Sequence, residues 1–206
     1  MFLLAMALPC AAAPSGASPE AADAGWILAR LKRPTPTRTD FVELRGSPLL
    51  KAPLRIEGEY RRPDTETLVR AVRTPYVETT TIRGGEANIE RSGKVRRFSL
   101  SRAPELQGLQ ASFGAMLAGD RVALERHYRI AADGTRQHWS LTLVPREQAL
   151  ATKVRDIVLR GRGAELRCIE TRPAKGDLQR TLLAGAARDA RGVTGADALA
   201  ALCRAQ

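Results

Sequence analysis

The sequence predicts a mainly β chain of the α+β class, a curved antiparallel sheet with one or two helices packed against one face. Three observations carry that expectation. Arg121–Pro145 alternates apolar and polar residues with period two on both sides of Asp133-Gly134, the mark of a β-hairpin. Further alternating runs, punctuated by Gly, Pro and Ser, lie before and after it. Between them, Pro104–Gly119 changes to helical spacing.

In the central hairpin, Leu124, Tyr128 and Ile130 share one parity of the first arm, and Trp139, Leu141 and Leu143 share one parity of the second. Centring the loop on Asp133-Gly134 sets Tyr128 opposite Trp139, Arg126 opposite Leu141 and Leu124 opposite Leu143. One side of the hairpin is then apolar and aromatic and the other basic and polar, as in a sheet solvated on one side.

In chain order, Ser18-Pro19-Glu20 reads as the capped start of a helix whose face is Ala24, Ile27, Leu28 and Leu31, stopped by Pro34 and Pro36. Strands follow over Arg38–Leu44 and Leu49–Arg62, the second carrying Leu54, Ile56, Gly58 and Tyr60 on one face. Glu66–Arg73 and Tyr76–Ile82 read as two more, with Pro75 at a bulge or edge. Gly84-Gly85 is a turn, and Ala87–Arg91 with Val95–Leu100 forms a hairpin around Ser92-Gly93. Pro104–Gly119 places Leu106, Leu109, Phe113, Met116 and Leu117 at helical spacing with an uncharged polar side. After the central hairpin, Val154–Leu159 and Ala164–Glu170 pair around Gly161-Arg162-Gly163. Gly176–Leu183 adds a strand, 184–193 reads as loop, and Thr194 or Asp197 caps a short helix bearing Leu199, Leu202 and Cys203.

The chain has 206 residues, 44% of them hydrophobic, which suits a single domain with a real core. Lys and Arg number 33 against 22 Asp and Glu, a net charge of +11. Such a balance fits nucleic acid, an anionic membrane surface, or a solvated arginine coat. The arginines are scattered and no aromatic-basic platform for bases stands out, which favours the coat. MFLLAMALPCAAA resembles the apolar core and cleavage site of a secretory signal peptide, so residues 1–13 are expected to be removed and 14–23 to form a tether. The basic residues that normally precede such a core are missing, consistent with a start upstream of Met1. Export leaves Cys168 and Cys203, for which an oxidising compartment predicts one disulfide, with two buried thiols as the alternative.

The chemistry-bearing residues are few. The two histidines, His127 and His138, fall on the polar side of the hairpin, without metal-ligand spacing. No nucleophile elbow, phosphate loop or dinucleotide glycine pattern occurs. No cofactor is expected, and neither is an enzyme. An apolar sheet face with a covering helix remains, which is how a protein holds an apolar ligand.

With those pieces in place the chain resembles the periplasmic outer-membrane lipoprotein carrier family, LolA and LolB and their relatives, as a divergent LolA-related subgroup. The resemblance runs over about residues 24–183. It rests on the N-terminal helix, Phe41-Val42-Glu43, Gly58-Glu59-Tyr60-Arg61-Arg62-Pro63 and the mid-chain apolar helix. Leu117-Ala118-Gly119-Asp120 and Trp139–Pro145 add to it. It implies an incomplete β-barrel with a helical lid over 24–206. The implied cavity for acyl chains is lined by Leu54, Ile56, Tyr60, Leu106, Leu109, Phe113, Met116, Leu117, Tyr128, Trp139 and Leu141. Arg62 matches the arginine that helps to close the lid. The implied function is a monomeric, soluble periplasmic carrier that ferries a lipoprotein or other acyl-chain lipid between inner and outer membrane. An inner-membrane exporter would be its donor, an outer-membrane protein its acceptor, and its contact with membrane surfaces transient. No nucleic acid is implied. A second reading stays open, in which the chain is a periplasmic envelope-assembly or interaction module whose apolar face is a filled core.

Overall fold

The structure, a computed structural model, describes residues 20–45, 54–100, 115–116 and 118–204. Eleven strands form one antiparallel sheet: β1 (Thr37–Arg45), β2 (Leu54–Arg62), β3 (Leu68–Thr74), β4 (Glu78–Arg83), β5 (Glu86–Arg91), β6 (Lys94–Ser99), β7 (Tyr128–Gly134), β8 (His138–Pro145), β9 (Val154–Arg162), β10 (Glu165–Pro173) and β11 (Gln179–Leu183). Their order across the sheet is β6-β5-β4-β3-β2-β1-β11-β10-β9-β8-β7. The chain therefore walks outward from β1 to one edge, crosses to the other edge at β7, and walks back until β11 pairs with β1. The sheet is curved and stays open between β6 and β7, an incomplete barrel.

Residue parity divides this sheet into two faces. Along β1, Phe41 and Glu43 point inward while Val42 and Leu44 point outward, and all four are buried. A strand buried on both sides needs a covering layer on each. Inside, α1 (Ala24–Leu31) buries Ala24, Ile27, Leu28 and Leu31 in a core with Leu124, Tyr128, Trp139, Leu141 and Leu159. Outside, α4 (Ala184–Asp189) and α5 (Ala196–Arg204) cover Val42, Leu44 and Leu182 with Ala186, Ala187 and Leu199. The small alanines let α4 lie close to the strands. Cys168 and Cys203 form a disulfide with a Cα–Cα distance of 5.2 Å, tying α5 to β10 across the outer core.

Gly161 shows how tightly the inner core is fitted. It pairs with Trp139 across β8 and β9, and a Cβ at Gly161 would fall within the Trp139 ring. The indole lies over the bare backbone and donates Nε1–H to the Gly163 carbonyl at 2.9 Å.

Several sequence expectations need correction. Arg121–His127 is a helix, α2, and not the first arm of the hairpin. Asp120 caps it by accepting from Ala123 N–H at 2.9 Å, and Arg121 pairs with Glu125 one turn on at 2.8 Å. Only Leu124 of that stretch is buried, and Val122 is 65% exposed. The hairpin turns at Thr135–Gln137, so Tyr128 faces Pro145, Ile130 faces Leu143, Ala132 faces Leu141 and Gly134 faces Trp139. The pairing thus departs from the expected register by an even number of residues. An even slip keeps every side chain on its face, so Tyr128, Trp139, Leu141 and Leu143 are still buried together. The first helix is capped by Asp23, which accepts from Trp26 N–H at 3.0 Å, rather than by the Ser18-Pro19-Glu20 segment. Residues 184–189, read as loop, form α4. Gln148–Ala151 forms the short helix α3.

On the outer face Glu170, 7% exposed, accepts from Arg160 Nε at 3.0 Å and Arg180 Nε at 2.9 Å. Burial works to raise its pKa, but the two guanidiniums outweigh burial and hold it below the usual carboxylate range. A lowered folded pKa means stability that is present above the unfolded value and lost as pH falls through the folded one. Glu170→Gln is therefore expected to lower the urea midpoint at pH 7, and the gap to the parent should close as pH falls toward 3. A gap that widens in acid would contradict this assignment.

Two further outcomes follow from this packing. Replacing Cys168 and Cys203 by serine, which opens a 35-residue span, should cost roughly 3–4 kcal/mol by the chain-entropy argument, read from urea unfolding. Gly161→Ala should cost about 1–3 kcal/mol by overpacking, with a red shift of Trp139 emission as the ring is displaced.

Candidate functional site

Because the sheet curls, inward residues from strands far apart in the sheet meet around one cavity of about 440 Å³. Leu68, Ile82, Ala87 and Phe98 come from β3 to β6, while Leu143, Ile157, Leu159 and Ile169 come from β8 to β10. Tyr60, Leu100, Met116 and Tyr128 complete most of the apolar wall, and Thr80, Thr171, Gln179 and Thr181 add neutral polar groups. A smaller pocket of about 200 Å³ adjoins it, sharing Tyr60 and Leu68 and bounded by Leu31, Arg33, Arg62, Glu165, Leu166 and Leu183 among others.

One charged group of the large cavity is nearly buried. Glu43, 5% exposed, accepts from Arg45 Nη2 at 2.7 Å and Nε at 3.0 Å, and from Arg70 Nη2 at 2.8 Å. The Arg70 guanidinium also stands 4.9 Å from the Phe41 ring centroid, and Phe41 packs 4.8 Å from Tyr60. Gly58 permits this stack, since a Cβ there would strike the Ala71 carbonyl oxygen and come within 2.9 Å of the Phe41 ring. Burial disfavours the Arg70 charge, but Tyr60 and Glu43 outweigh it and hold its pKa above the ordinary arginine value. Burial pushes the Tyr60 hydroxyl up, with Arg70 opposing, so Tyr60 stays neutral at physiological pH. Each arginine on this wall thus has a carboxylate partner, and the rest of the lining is uncharged and mostly apolar.

The expected cavity residues divide by position. Tyr60, Met116 and Tyr128 line the large cavity. Leu54 and Ile56 lie on the same face in the cluster around Phe41. Trp139 and Leu141 sit in the core beneath α1, away from the lining. Leu106, Leu109, Phe113 and Leu117 lie outside the described residues. Of the expected covering helix, Ala115, Met116 and Ala118 are helical, and Met116 is 2% exposed. Arg62 lines the smaller pocket. Sequence reasoning missed Leu68, Ile82, Leu143, Ile157, Leu159 and Ile169, although strand parity marks them all as inward. It also missed the contact of Glu43 with Arg70, 27 positions apart, for which no local signal exists. Among the described residues no cluster of His, Cys, Asp and Glu is able to hold a metal, and no helix is long and apolar enough to cross a membrane.

The family model for "outer membrane lipoprotein carrier protein LolA-like" matches residues 16–206. The chain belongs to this LolA-like family. Its members are carrier-type proteins rather than enzymes. The match reaches past residue 183, so the outer helices and the disulfide of this LolA-like chain lie within the family region. No curated protein matches the sequence. Solved structures similar to it include a LolA superfamily protein from Nitrosomonas europaea, 12% identical with a TM-score of 0.40, the match covering 77% of this chain and 90% of that one. Another is LprF from Mycobacterium bovis, 13% identical with a TM-score of 0.33, covering 79% and 91%.

The Glu43 cluster yields a test. Glu43→Gln removes the shared carboxylate and leaves Arg70 buried without it. Arg45, half exposed, can turn to water, so the expected loss is about 2–3 kcal/mol, below the 3–5 typical of a fully buried pair. Adding Arg70→Met should recover part of that loss in thermal unfolding. No recovery would show that the two side chains act independently.

Proposed function

We propose that this LolA-like protein is a periplasmic carrier that takes the acyl chains of a lipoprotein or another lipid into the large cavity. It would ferry that cargo between inner and outer membrane without covalent chemistry. The observation that carries this reading is the cavity of about 440 Å³ between the two halves of one curved sheet. Its size falls within the roughly 300–1,000 Å³ of small-molecule sites, and its mostly apolar wall suits a hydrocarbon. Each CH₂ moved from water into it contributes about 0.8 kcal/mol, so a ten-carbon segment gains about 8 kcal/mol before ordering costs. That is comparable to what the chain gains in a bilayer, so loading and release need a donor and an acceptor rather than a large affinity difference. The partners proposed are an inner-membrane exporter and an outer-membrane acceptor, with the carrier itself a monomer. The LolA-like family and the leader-like first 13 residues support the periplasm as its location.

Native mass spectrometry and organic extraction of protein purified from its own periplasm should find bound lipid. Ile82 lines the cavity and is only partly buried, so Ile82→Trp should fill the void, abolish binding of a neutral hydrophobic dye and leave the unfolding midpoint nearly unchanged. A filled core gives the opposite pattern. Dye binding is then absent in the parent, and the larger side chain costs about 1–3 kcal/mol by overpacking.

A further inference from the structure

The two cavities treat their arginines differently. In the larger one, Arg45 and Arg70 are both paired with Glu43. In the smaller one, Nη1 of Arg62 is buried and has no hydrogen-bond partner among the described residues. Arg33 lines the same pocket, and among the described residues its guanidinium donates to neutral carbonyls, those of Arg30 at 2.6 Å, Lys32 at 3.0 Å and Ala164 at 2.5 Å. Glu165 is the one acidic residue of the lining, and it is already held by Arg167 at 3.4 Å and by Gly185 N–H at 2.6 Å. A buried, unmatched guanidinium donor is costly in a finished protein. Here it adjoins the apolar cavity through Tyr60 and Leu68, which line both.

We propose that the pocket around Arg62 is the head-group site of the cargo. It takes an oxyanion, phosphate or carboxylate, on a lipid whose acyl chain lies in the larger cavity. The assignment rests on the lipid-carrier reading above. A guanidinium offers parallel N–H donors to either anion, whereas Arg45 and Arg70 of the large cavity are already bonded to the Glu43 carboxylate. Arg62 is then a ligand contact, distinct from the lid-closing role that the family resemblance implies.

The test compares three amphiphiles with the same twelve-carbon tail, dodecyl phosphate, dodecanoate and neutral monododecanoylglycerol, titrated calorimetrically into the full chain. The anionic probes should bind about 10-fold tighter or more. Arg62→Gln should erase that preference without weakening the neutral probe, and the thermal midpoint should hold or rise as the unmatched buried charge is removed. Tighter binding of dodecyl phosphate points to a phospholipid-type head, and of dodecanoate to a free fatty acid. A second readout needs no variant, because raising salt from about 0.05 to about 0.5 M should narrow the preference by screening. Equal binding of all three probes overturns the head-group site and leaves the carrier intact. A preference that survives Arg62→Gln, or that ignores salt, also overturns it. Binding of none overturns the carrier reading as well.

Discussion

A sheet of eleven strands with one largely apolar inner face must bury that face, and among the described residues α1 packs against its β7, β8 and β10. The consequence follows from geometry. Over part of β7 to β9 the inner side is packed core, with Trp139 seated on Gly161 and Leu141 in the cluster with α1. Curvature of the sheet brings Ile82 and Phe98, from β4 and β6, to the same cavity as Leu143 and Leu159, from β8 and β9. On the opposite side α4 and α5 bury the outer residues of β1, β10 and β11, so the middle of the sheet is braced from outside.

How much of this was legible in the sequence depended on which period carried the information. Alternation along β2, β5, β6, β8 and β9 identified strands and their faces, and the Ser92-Gly93 and Gly84-Gly85 turns fell where expected. Strand register was less secure, because a repeat of two cannot tell one even register from the next. Tyr128 and Trp139 therefore share a face without being opposite each other. Arg121–His127 misled for a related reason. Seven residues with apolar positions two apart satisfy a strand and a short helix equally, and the deciding feature was Asp120 ahead of them as a cap. Ala184–Asp189 hid because alanine and glycine carry almost no hydrophobic period. The disulfide was legible once the leader-like start set Cys10 aside and an oxidising compartment was expected for the two cysteines left.

The site was legible only as a face. Tyr60, Met116 and Tyr128 could be placed on it from parity and helical spacing, but where packed core gives way to cavity depends on how strands far apart in the sheet curl toward one another. Nothing local in the sequence encodes that boundary. The same holds for charge. With 33 basic residues against 22 acidic ones, arginines look interchangeable on paper, yet their partners sort them sharply. Arg160 and Arg180 converge on Glu170, and Arg45 and Arg70 converge on Glu43. Such triads form across strands, from residues up to 27 positions apart, and only the pairing of β1, β2 and β3 brings Glu43 within reach of Arg70.

That sorting bears on how a carrier releases what it holds. A cavity wall with an unpaired charge would be costly to empty, since the guanidinium would return to an apolar surround without its counter-ion. Glu43 removes that penalty from the large cavity, because Arg45 and Arg70 keep their partner whether or not a hydrocarbon is present. If the cavity takes cargo as proposed, hydrocarbon would gain about as much from this wall as from a bilayer, and the acyl contribution would nearly cancel on transfer in either direction. Preference for one cargo over another must then come from groups that differ between cargoes, and these lie at the polar end rather than along the tail. An apolar pocket rejects a wrong chain length by only about 1–3 kcal/mol per methylene, whereas a buried polar group left unmatched discriminates far more. On the proposed carrier function, the large cavity would therefore supply capacity, and the polar groups around its rim would supply choice.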